Sequence, residues 1–342
     1  MPWLTKGLEL SGYGNYFYTF GYDKEFWNTW TMYTYNMDNE EYVPHTAFWP
    51  GIGASKSLEL QQSTYRNDFY HLRLSYDRSF GEHNFSGFAA YEQSESIYKE
   101  VGGFRKGLPS DKKPFMWAGE EGGRDIYEVS SEGGRVNYFG SLSYNYARKY
   151  MIDFTLRYDG SFNFAEGERF GLFPGVSAGY TISEEPFMSG LDWMDNLKLR
   201  VSYGKMGNDE VPSFQYLRQY NIANERAFGT GPSIYPSVYL SNIANPTITW
   251  EGSTQQNIGF DLTVWEGLFN FSLDYFNERR RQILLSRAAE VPAYTALELP
   301  DENFGKVDNR GIEFSFNHKQ TIGQVDYNVG GNLMFSRNKI ID

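Results

Sequence analysis

The residues of this chain that could do covalent chemistry are too scattered to form a catalytic centre. Its four histidines, at positions 45, 71, 83 and 318, offer no close pair for acid–base or metal chemistry. Cysteine is absent, which removes a thiolate nucleophile, a thiolate metal site and a disulfide framework. The formal net charge of −12 argues against binding nucleic acid through its phosphates. The sequence therefore predicts neither an enzyme nor a nucleic-acid-binding protein.

Three acidic clusters could supply hard oxygen ligands for calcium. They occupy residues 38–41, 120–125 and 301–302, in stretches that read as long loops. None of the three has the regular ligand spacing of a known calcium loop, so solvated loop charge is the simpler interpretation. No metal or other cofactor is predicted, and calcium stays open as the alternative.

Aromatic side chains are the most abundant candidates for ligand contact. Phenylalanine, tyrosine and tryptophan make up 18% of the chain. Their flat faces suit stacking of the C–H-rich side of a sugar, and aromatic residues are also enriched where partner proteins dock. The candidate contacts in the long connections are Trp27, Trp30, Trp49, Tyr216, Tyr220 and Tyr235, with Tyr33, Tyr35 and Tyr239 near them. Packing of these rings inside folded loops is an equally good interpretation.

The elements that must position these residues are β-strands, because hydropathy alternates along the chain with a period of two. In GERFGLFPGVSAGYTISEEPFM, for example, Val176, Ala178 and Tyr180 alternate with small polar residues and glycine. The alternation recurs from about Leu8 to about Arg337 and indicates about eleven strands. No segment keeps a helical period, and no apolar run reaches the ~18 residues of a transmembrane helix.

The connections between the predicted strands alternate in length. Long irregular stretches are predicted at about 22–60, 95–134, 206–248 and 284–304, and short turns separate the other strands. Short turns at one end and long loops at the other are typical of a transmembrane β-barrel, with periplasmic turns and extracellular loops. The apolar phase of each strand would then meet lipid, and the polar phase an aqueous lumen. Because eleven is an odd number, the expected fold is an open, antiparallel segment of a larger barrel.

Charged residues on the polar phase of the strands are the candidates for lining this lumen. They could contact substrate, since lumen residues tune selectivity, or they could simply wet the lumen or pair with a plug that fills it and is missing here. These residues are Arg157, Lys198, Arg200, Asp261, Asp274 and Glu313.

Several motifs in register carry a family resemblance. LRYDGSFNFAEGERFGLFPGVSAGYTISEEPFM (156–188), followed by LKLRVSYGKMGN (197–208), resembles the SusC/RagA family of TonB-linked outer-membrane transporters. Three further stretches are similar to the same family: NPTITWEGSTQQNIGFDLTVWEGLFNFSLDYFNERRRQIL (245–284), GKVDNRGIEFSFNHK (305–319) and GGNLMFSRNKI (330–340). The resemblance covers most of the chain in order and is densest from about residue 136 onward.

The resemblance implies a barrel of about 22 strands, closed by an N-terminal plug with a TonB-contacting segment. Residues 1–342 are then expected to be a partial barrel domain, about half of the strands, without the plug, the closing strands or a signal peptide. The implied function is energy-coupled import of glycans or peptides across the outer membrane of a Gram-negative cell. Implied partners are outer-membrane lipid, a SusD-like surface lipoprotein and the TonB complex. The alternative is a passive porin or an adhesin-like barrel that binds a partner through its loops.

Overall fold

The computed structural model describes residues 6–47, 55–112, 114–227, 234–240, 243–286 and 299–341. Within these ranges the helical segments are short 3-10 helices at Met116–Ala118, Glu121–Gly123, Ile182–Glu184 and Pro186–Met188. None of the helices in the described part is long and apolar enough to cross a membrane. The strands are β1 (Leu8–Trp27), β2 (Trp30–Asn36), β3 (Glu41–Ala47), β4 (Ser57–Phe80), β5 (His83–Lys106), β6 (Arg124–Tyr146), β7 (Tyr150–Ser161), β8 (Phe170–Thr181), β9 (Met194–Asn208), β10 (Tyr220–Ala227), β11 (Ile234–Leu240), β12 (Glu251–Val264), β13 (Phe269–Ser286), β14 (Asp301–Ile322) and β15 (Val325–Ile341).

Eleven of these strands form one sheet in the order β1-β4-β5-β6-β7-β8-β9-β12-β13-β14-β15. Neighbours in space are neighbours along the chain apart from two hairpins, β2–β3 and β10–β11, which stand outside the sheet. Consecutive strands pair antiparallel, as in β6 with β7 and β7 with β8. The predicted all-β antiparallel fold with about eleven main strands is therefore confirmed.

The chain divides into two compact units. Unit 1 comprises Met1–Tyr13, Tyr70–Gln93 and Arg135–Asp342, and unit 2 comprises Gly14–Phe69 and Ser94–Gly134. Strands β7–β15 fall in unit 1 and the hairpin β2–β3 falls in unit 2. Each unit is described by itself below.

The two faces of the sheet in unit 1 differ in chemistry. Phe154 of β7 pairs with Val176 of β8, and the adjacent Asp153 pairs with Ser177. Because side chains alternate across a strand, the positions in line with Phe154 form an apolar face, and those in line with Asp153 form a polar face. The apolar face is exposed along its strands, at residues that include Leu142, Ile152, Phe154, Val176, Phe260, Leu273, Ile312, Leu333 and Phe335.

The apolar residues form a band that crosses the strands obliquely. One register row runs from Tyr150 on β7, through its successive partners on β8, β9, β12, β13 and β14, to Leu333 on β15. On β7 the apolar positions continue from this row toward the long connections, as far as Tyr158. On β15 they continue the other way, toward Val325 beside the short turn. Strands of a closed barrel tilt by about 35–45°, and an oblique apolar band is what that tilt requires.

Residues with positive φ build the short turns of unit 1. Ala147 and Arg148, between β6 and β7, have φ values of 52° and 59°. Trp265 and Glu266, between β12 and β13, have φ values of 55° and 56°. Two consecutive left-handed residues give a hairpin turn whose twist matches that of the flanking strands. These turns therefore need only a few residues.

The long connections are confirmed, but the prediction that they are irregular is wrong over much of their length. Strands β1, β4, β5, β6, β13 and β14 extend into the ranges predicted as 22–60, 95–134 and 284–304, and the hairpins β2–β3 and β10–β11 lie within 22–60 and 206–248. Beyond a membrane-crossing segment both faces of a strand meet water, so apolar alternation stops although backbone pairing continues. The connection from β8 to β9 spans 182–193 and includes two 3-10 helices, so it is not the short turn that the sequence predicted between these strands.

Candidate functional site

Arg200 on β9 is the centre of an ion-pair network on the polar face. Its Nε donates a hydrogen bond to Asp261 Oδ2 at 2.6 Å, and its Nη2 donates to Asp261 Oδ1 at 3.0 Å. The same Nη2 donates to Asp274 Oδ2 at 3.0 Å, and the Ser272 hydroxyl donates to Asp261 Oδ1 at 3.0 Å. Side chains thereby tie β9, β12 and β13 together in addition to the backbone ladder. Three of the six predicted lumen-lining charges thus bind one another, and two more are their cross-strand neighbours, Lys198 beside Asp261 and Glu313 beside Asp274.

A glycine leaves the space that this network occupies. Gly259 lies between Arg200 and Asp274 in the register, so the arginine must cross it to reach that carboxylate. A Cβ atom at position 259 would stand 2.8 Å from Arg200 Nη2 and would also collide with the carboxylate of Asp274. Lys198, the register partner of Thr181, reaches diagonally over Gly179, where a Cβ would stand 3.1 Å from Lys198 Cε. The period-two pattern placed the charged residues on one face. It did not identify the glycines, because a glycine marks such a site only when the long basic side chain near it on the neighbouring strand is known.

Arg157 forms a separate pair on the polar face. Its Nε donates to Asp159 Oδ2 at 2.8 Å and its Nη2 to Oδ1 at 3.2 Å. Its guanidinium also lies 4.6 Å from the ring centroid of Phe139, within the range of a cation–π contact. Arg73 stacks similarly on Phe88 at 4.1 Å. The alternation rule assigned aromatic residues to the apolar face, so it missed these rings on the polar one.

Glu313 lies at a cavity of about 460 Å³ that opens on the polar face. Small residues make room for the cavity, hydroxyl and amide groups line it, and Phe276, Met206 and Met334 add apolar surface. The polar and small lining residues include Asp153, Thr155, Gly175, Ser177, Ser202, Gly204, Gln255, Asn257 and Glu278. The lining combines neutral hydrogen-bond donors and acceptors with three carboxylates, those of Asp153, Glu278 and Glu313, and it includes no basic residue. The cavity is thus suited to a polar ligand that is neutral or positively charged.

The connections at the long end of unit 1 fold into a small hydrophobic cluster, the cap. Phe164 and Ile248 are fully buried and Trp250 is 9% exposed. The indole Nε1 of Trp250 donates to the Arg169 carbonyl at 2.8 Å, which satisfies its polar atom inside the cluster. Partly buried residues that pack against the cluster are Phe173, Val211, Tyr216 and Leu284.

Amide side chains fasten the cap to the neighbouring strands. Asn303 Oδ1 accepts a hydrogen bond from Thr249 N at 2.9 Å, and its Nδ2 donates to Thr249 O at 2.9 Å. Asn245 Nδ2 donates to the Asp301 carbonyl at 2.7 Å. The motif NPTITW (245–250), quoted above for its family resemblance, is therefore the structural centre of the cap. Sequence reasoning placed this motif in a loop and did not predict its burial.

The predicted ligand-contacting aromatics of unit 2 lie on strands. Trp27 ends β1, and its ring centroid lies 6.1 Å from that of Phe104. Trp30 begins β2 and is half exposed, and the ring of Tyr35 in the same strand lies 5.2 Å from that of Tyr42 in β3. Trp49 lies outside the described residues. Ligand binding by these rings stays a prediction.

The predicted ligand-contacting aromatics of unit 1 lie at the cap and in the hairpin β10–β11. Tyr216 packs against the cap. Tyr220 begins β10 and is exposed, and it pairs in register with Leu240 of β11. Tyr235 lies in β11, and its side chain is outside the described part of the chain. For these residues also, ligand contact stays a prediction.

The three acidic clusters lie at the borders of strands and not in irregular loops. Residues 38–41 form the tip of the hairpin β2–β3, residues 120–125 run from a 3-10 helix into β6, and residues 301–302 begin β14. Asp301 accepts a hydrogen bond from Gln215 Nε2 at 3.3 Å. Across the described ranges, no group of three or more His, Cys, Asp or Glu residues is placed to hold a metal ion. Calcium binding stays a prediction.

Two tyrosines of unit 2 donate to carboxylates far from the short turns, on strand segments outside the membrane-crossing part. The Tyr127 hydroxyl donates to Glu59 Oε1 at 2.7 Å. This hydrogen bond, with burial and the nearby negative charge, raises the pKa of Tyr127 to about 12. Tyr98 donates to Glu100, and that hydrogen bond likewise raises the pKa of Tyr98. Both hydroxyls therefore remain protonated donors at neutral pH.

Comparison with known proteins finds relatives that match nearly the whole length of this chain. The family model described as TonB dependent receptor-like, beta-barrel matches residues 2–340. TonB-dependent receptor P3 of Formosa agariphila is 28% identical over 319 residues, which cover 92% of this chain and 31% of that protein. TonB-dependent receptor SusC of Bacteroides thetaiotaomicron is 27% identical over 277 residues, which cover 79% of this chain and 27% of that protein.

Solved structures show the same fold. The RagAB peptide importer in its closed-closed state superposes with a TM-score of 0.81 at 19% identity, over 98% of this chain and 35% of the RagAB chain. The outer membrane transporter YddB from Escherichia coli gives a TM-score of 0.59 at 12% identity, over 98% of this chain and 41% of its own. This chain spans about a third of the length of its curated relatives. It belongs to the TonB-dependent receptor family, as a segment of a β-barrel of the SusC/RagA type.

Proposed function

We propose that the protein containing this chain imports oligosaccharide or peptide nutrients across the outer membrane of a Gram-negative cell, with energy supplied through TonB. The observation that carries the proposal is a sheet with an exposed apolar band on one face and ordered polar groups on the other. Such a sheet fits lipid on one side and a hydrated passage on the other. Membership of the TonB-dependent receptor family supports active transport over a passive pore.

Neutral groups of the polar face are the best candidates to contact the nutrient in the passage. Arg200 already binds two carboxylates, so it is not free to hold a charged ligand. The cavity beside Glu313 offers hydroxyls and amides, such as those of Ser202 and Gln255. Neutral hydrogen bonds of modest strength allow a solute to bind and also to leave, as transport requires. Both sugars and peptide backbones have the donors and acceptors to use them.

The proposed partners follow from the same assignment. A SusD-like surface lipoprotein would cover the long-connection end, and the aromatic hairpins β2–β3 and β10–β11 are candidate surfaces for it or for the nutrient. The TonB complex would act through a plug that this chain does not supply. The mechanism involves no covalent chemistry, so neither a catalytic residue nor a cofactor is proposed. The RagAB neighbour, a peptide importer, supports peptides as one of the two nutrient classes.

The test is solute depletion by cells that carry the full-length protein. A strain that lacks the gene and its complemented strain are each given a panel of oligosaccharides and peptides, and the medium is followed by mass spectrometry. We expect complementation to restore depletion of one solute class, and an uncoupler to stop it. Depletion that continues with the uncoupler would mean a passive porin. If complementation restores no depletion, the import proposal is wrong and an adhesin-like role is favoured.

Two neighbouring residues of β9 provide a matched pair of variants. Ser202 faces the cavity and Val201 lies on the apolar face. Ser202→Trp adds a large ring to the proposed passage, and we expect it to slow uptake. Val201→Trp adds the same ring to the lipid side, and we expect uptake to stay as in the wild type. Equal uptake by the two variants would contradict the assignment of the polar face as the passage.

A further inference from the structure

The outward side of unit 1 changes from apolar to basic where the apolar band ends. Along β14 the last apolar-face residue before the long connection is Ile312, and the next position on that face is Arg310. On β15 the corresponding step is from Phe335 to Arg337. A second row follows, with Arg279 on β13 and Lys339 on β15, and Asp308 of β14 is the register partner of both. All four of these basic residues, together called the basic patch, are exposed.

One carboxylate, that of Asp308, lies between Arg279 and Lys339, and it does not neutralise the basic patch. Its ion pair is with a further arginine, Arg281, at 2.6 Å, so positive charge stays in excess. Within the described residues, no ion pair joins Arg279, Arg310, Arg337 or Lys339 to a carboxylate. The patch is an exception in a chain with 43 acidic and 31 basic residues.

Two arginines of the patch stand directly opposite each other. Arg310 and Arg337 are register partners on adjacent strands and share one face. Like charges directly opposite in a sheet destabilise it, unless an anion lies between them. Guanidinium groups bind phosphate in a bidentate geometry, so a phosphate is the natural anion for this pair.

The position of the patch identifies the source of the phosphate. Arg310 lies two residues beyond Ile312, which is about 7 Å along the strand. If the apolar band lies in the hydrocarbon layer, the patch lies at the level of the lipid headgroups. It lies on the long-connection side, because the short turn between β14 and β15 is at the other end of these strands.

We propose that the basic patch binds the phosphorylated headgroup of an anionic lipid in the membrane leaflet on the long-connection side. The proposal rests on the membrane placement given above, but not on import or on the identity of the nutrient. Each basic residue near an anionic membrane surface contributes about 1 kcal/mol, or roughly fivefold in affinity. An acidic protein or a free anion would not need the patch to border the apolar band.

The test is lipid binding by the purified full-length protein in detergent. The probe is bisphosphorylated lipid A, with its dephosphorylated form and inorganic phosphate as separate arms. We expect the phosphorylated lipid to bind, and Arg310→Gln/Arg337→Gln to weaken its binding by about 25-fold. Lys149→Gln/Lys319→Gln removes the same charge at the short-turn end and is expected to leave the affinity unchanged. Because the arginine variant removes a like-charge pair, its thermal midpoint should not fall.

Several outcomes would overturn the proposal. They are equal binding of the dephosphorylated lipid, equal competition by inorganic phosphate, and equal losses in the two double variants. If the arginine variant does not fold, Lys339→Gln alone is expected to weaken binding by about fivefold, and an unchanged affinity would be decisive against the patch. Lipid binding is measured without nutrient. A failure to bind lipid would therefore leave the import proposal standing, and a failure of the uptake assay would leave the lipid-binding proposal standing.

Discussion

Adding one methyl group at Gly259 is expected to break the ion-pair network of the polar face. In Gly259→Ala the new Cβ would stand 2.8 Å from Arg200 Nη2 and 2.9 Å from Cζ, and it would collide with the carboxylate of Asp274. Carbon needs a separation of about 3.5–4.0 Å from such atoms. The guanidinium and the carboxylate must therefore both move, although the substitution changes no charge.

The size of the effect follows from the hydrogen bonds at risk. A hydrogen bond to a charged group contributes about 1.5–3 kcal/mol when desolvated. Here the side chains of Arg200 and Asp261 are 35% and 33% exposed, so solvent screens them and the contribution must be discounted. Losing the bond to Asp274 and distorting those to Asp261 should lower the free energy of unfolding by about 1–2 kcal/mol.

The measurement is urea unfolding of the full-length protein in detergent, with Gly204→Ala as the matched control. Gly204 lies on the same face of β9, and a Cβ there would meet no heavy atom within 4 Å. Its substitution should leave stability unchanged or raise it by about 0.4–1 kcal/mol, because alanine restricts the unfolded chain. Equal unfolding midpoints for Gly259→Ala and Gly204→Ala would refute the account of Gly259 as the space that Arg200 crosses.

Three further predictions test the cap, the contact of Tyr127 with Glu59 in unit 2, and the ion pair of Arg157 with Asp159. Trp250→Ala should destabilise the cap by about 3–5 kcal/mol and make 162–169 the first site of limited proteolysis. Trp265→Ala, at an exposed turn, is the control and should leave the pattern of proteolytic fragments unchanged. The pKa of Tyr127 is raised, so its contact with Glu59 stabilises unit 2 fully below pH 10 and is lost as pH rises through about 12. Subtracting the absorbance titration of Tyr127→Phe should place this phenolate near pH 12, and a midpoint near 10 would contradict the contact. Arg157→Gln should lower the unfolding free energy by less than about 1 kcal/mol in the urea assay, because this arginine is 47% exposed; a larger loss would mean that solvent screening is overestimated.

The sequence was sufficient to predict the strands wherever one face is apolar and the other polar. Phe154 and Asp153 already differ in hydropathy before any pairing is known, so each is assigned to its face by phase alone. The same reasoning found Arg200, Asp261 and Asp274 as charges on one face. It could not show that they bind each other, because cross-strand register depends on turn lengths and bulges that hydropathy does not encode.

The features that sequence analysis missed have separate physical causes. Outside the lipid layer, the environment on the two sides of a strand is the same, so no pattern distinguishes strand from loop in the last residues of β1 and β5 or in the hairpins. Trp250 is buried among connections that are otherwise polar, and only the three-dimensional meeting of 162–169 with 243–250 reveals it. Gly259 was missed for another reason. A glycine in a strand is informative only once its cross-strand neighbours are known.

The arginines on the two faces of unit 1 differ in whether they are paired with carboxylates. This difference constrains which ligands each face can bind. On the polar face, Arg200 and Arg157 are each paired with carboxylates of the same sheet, so neither offers its positive charge to an anionic solute. Beyond the apolar band, Arg310 and Arg337 face each other without a carboxylate between them, so their positive charges stay available to an anion. A ligand on the polar face can therefore be held by the shape of the cavity, by its neutral hydrogen-bonding groups and by its carboxylates, but not by these two arginines. The unpaired arginines lie instead where the lipid-binding proposal places the membrane surface.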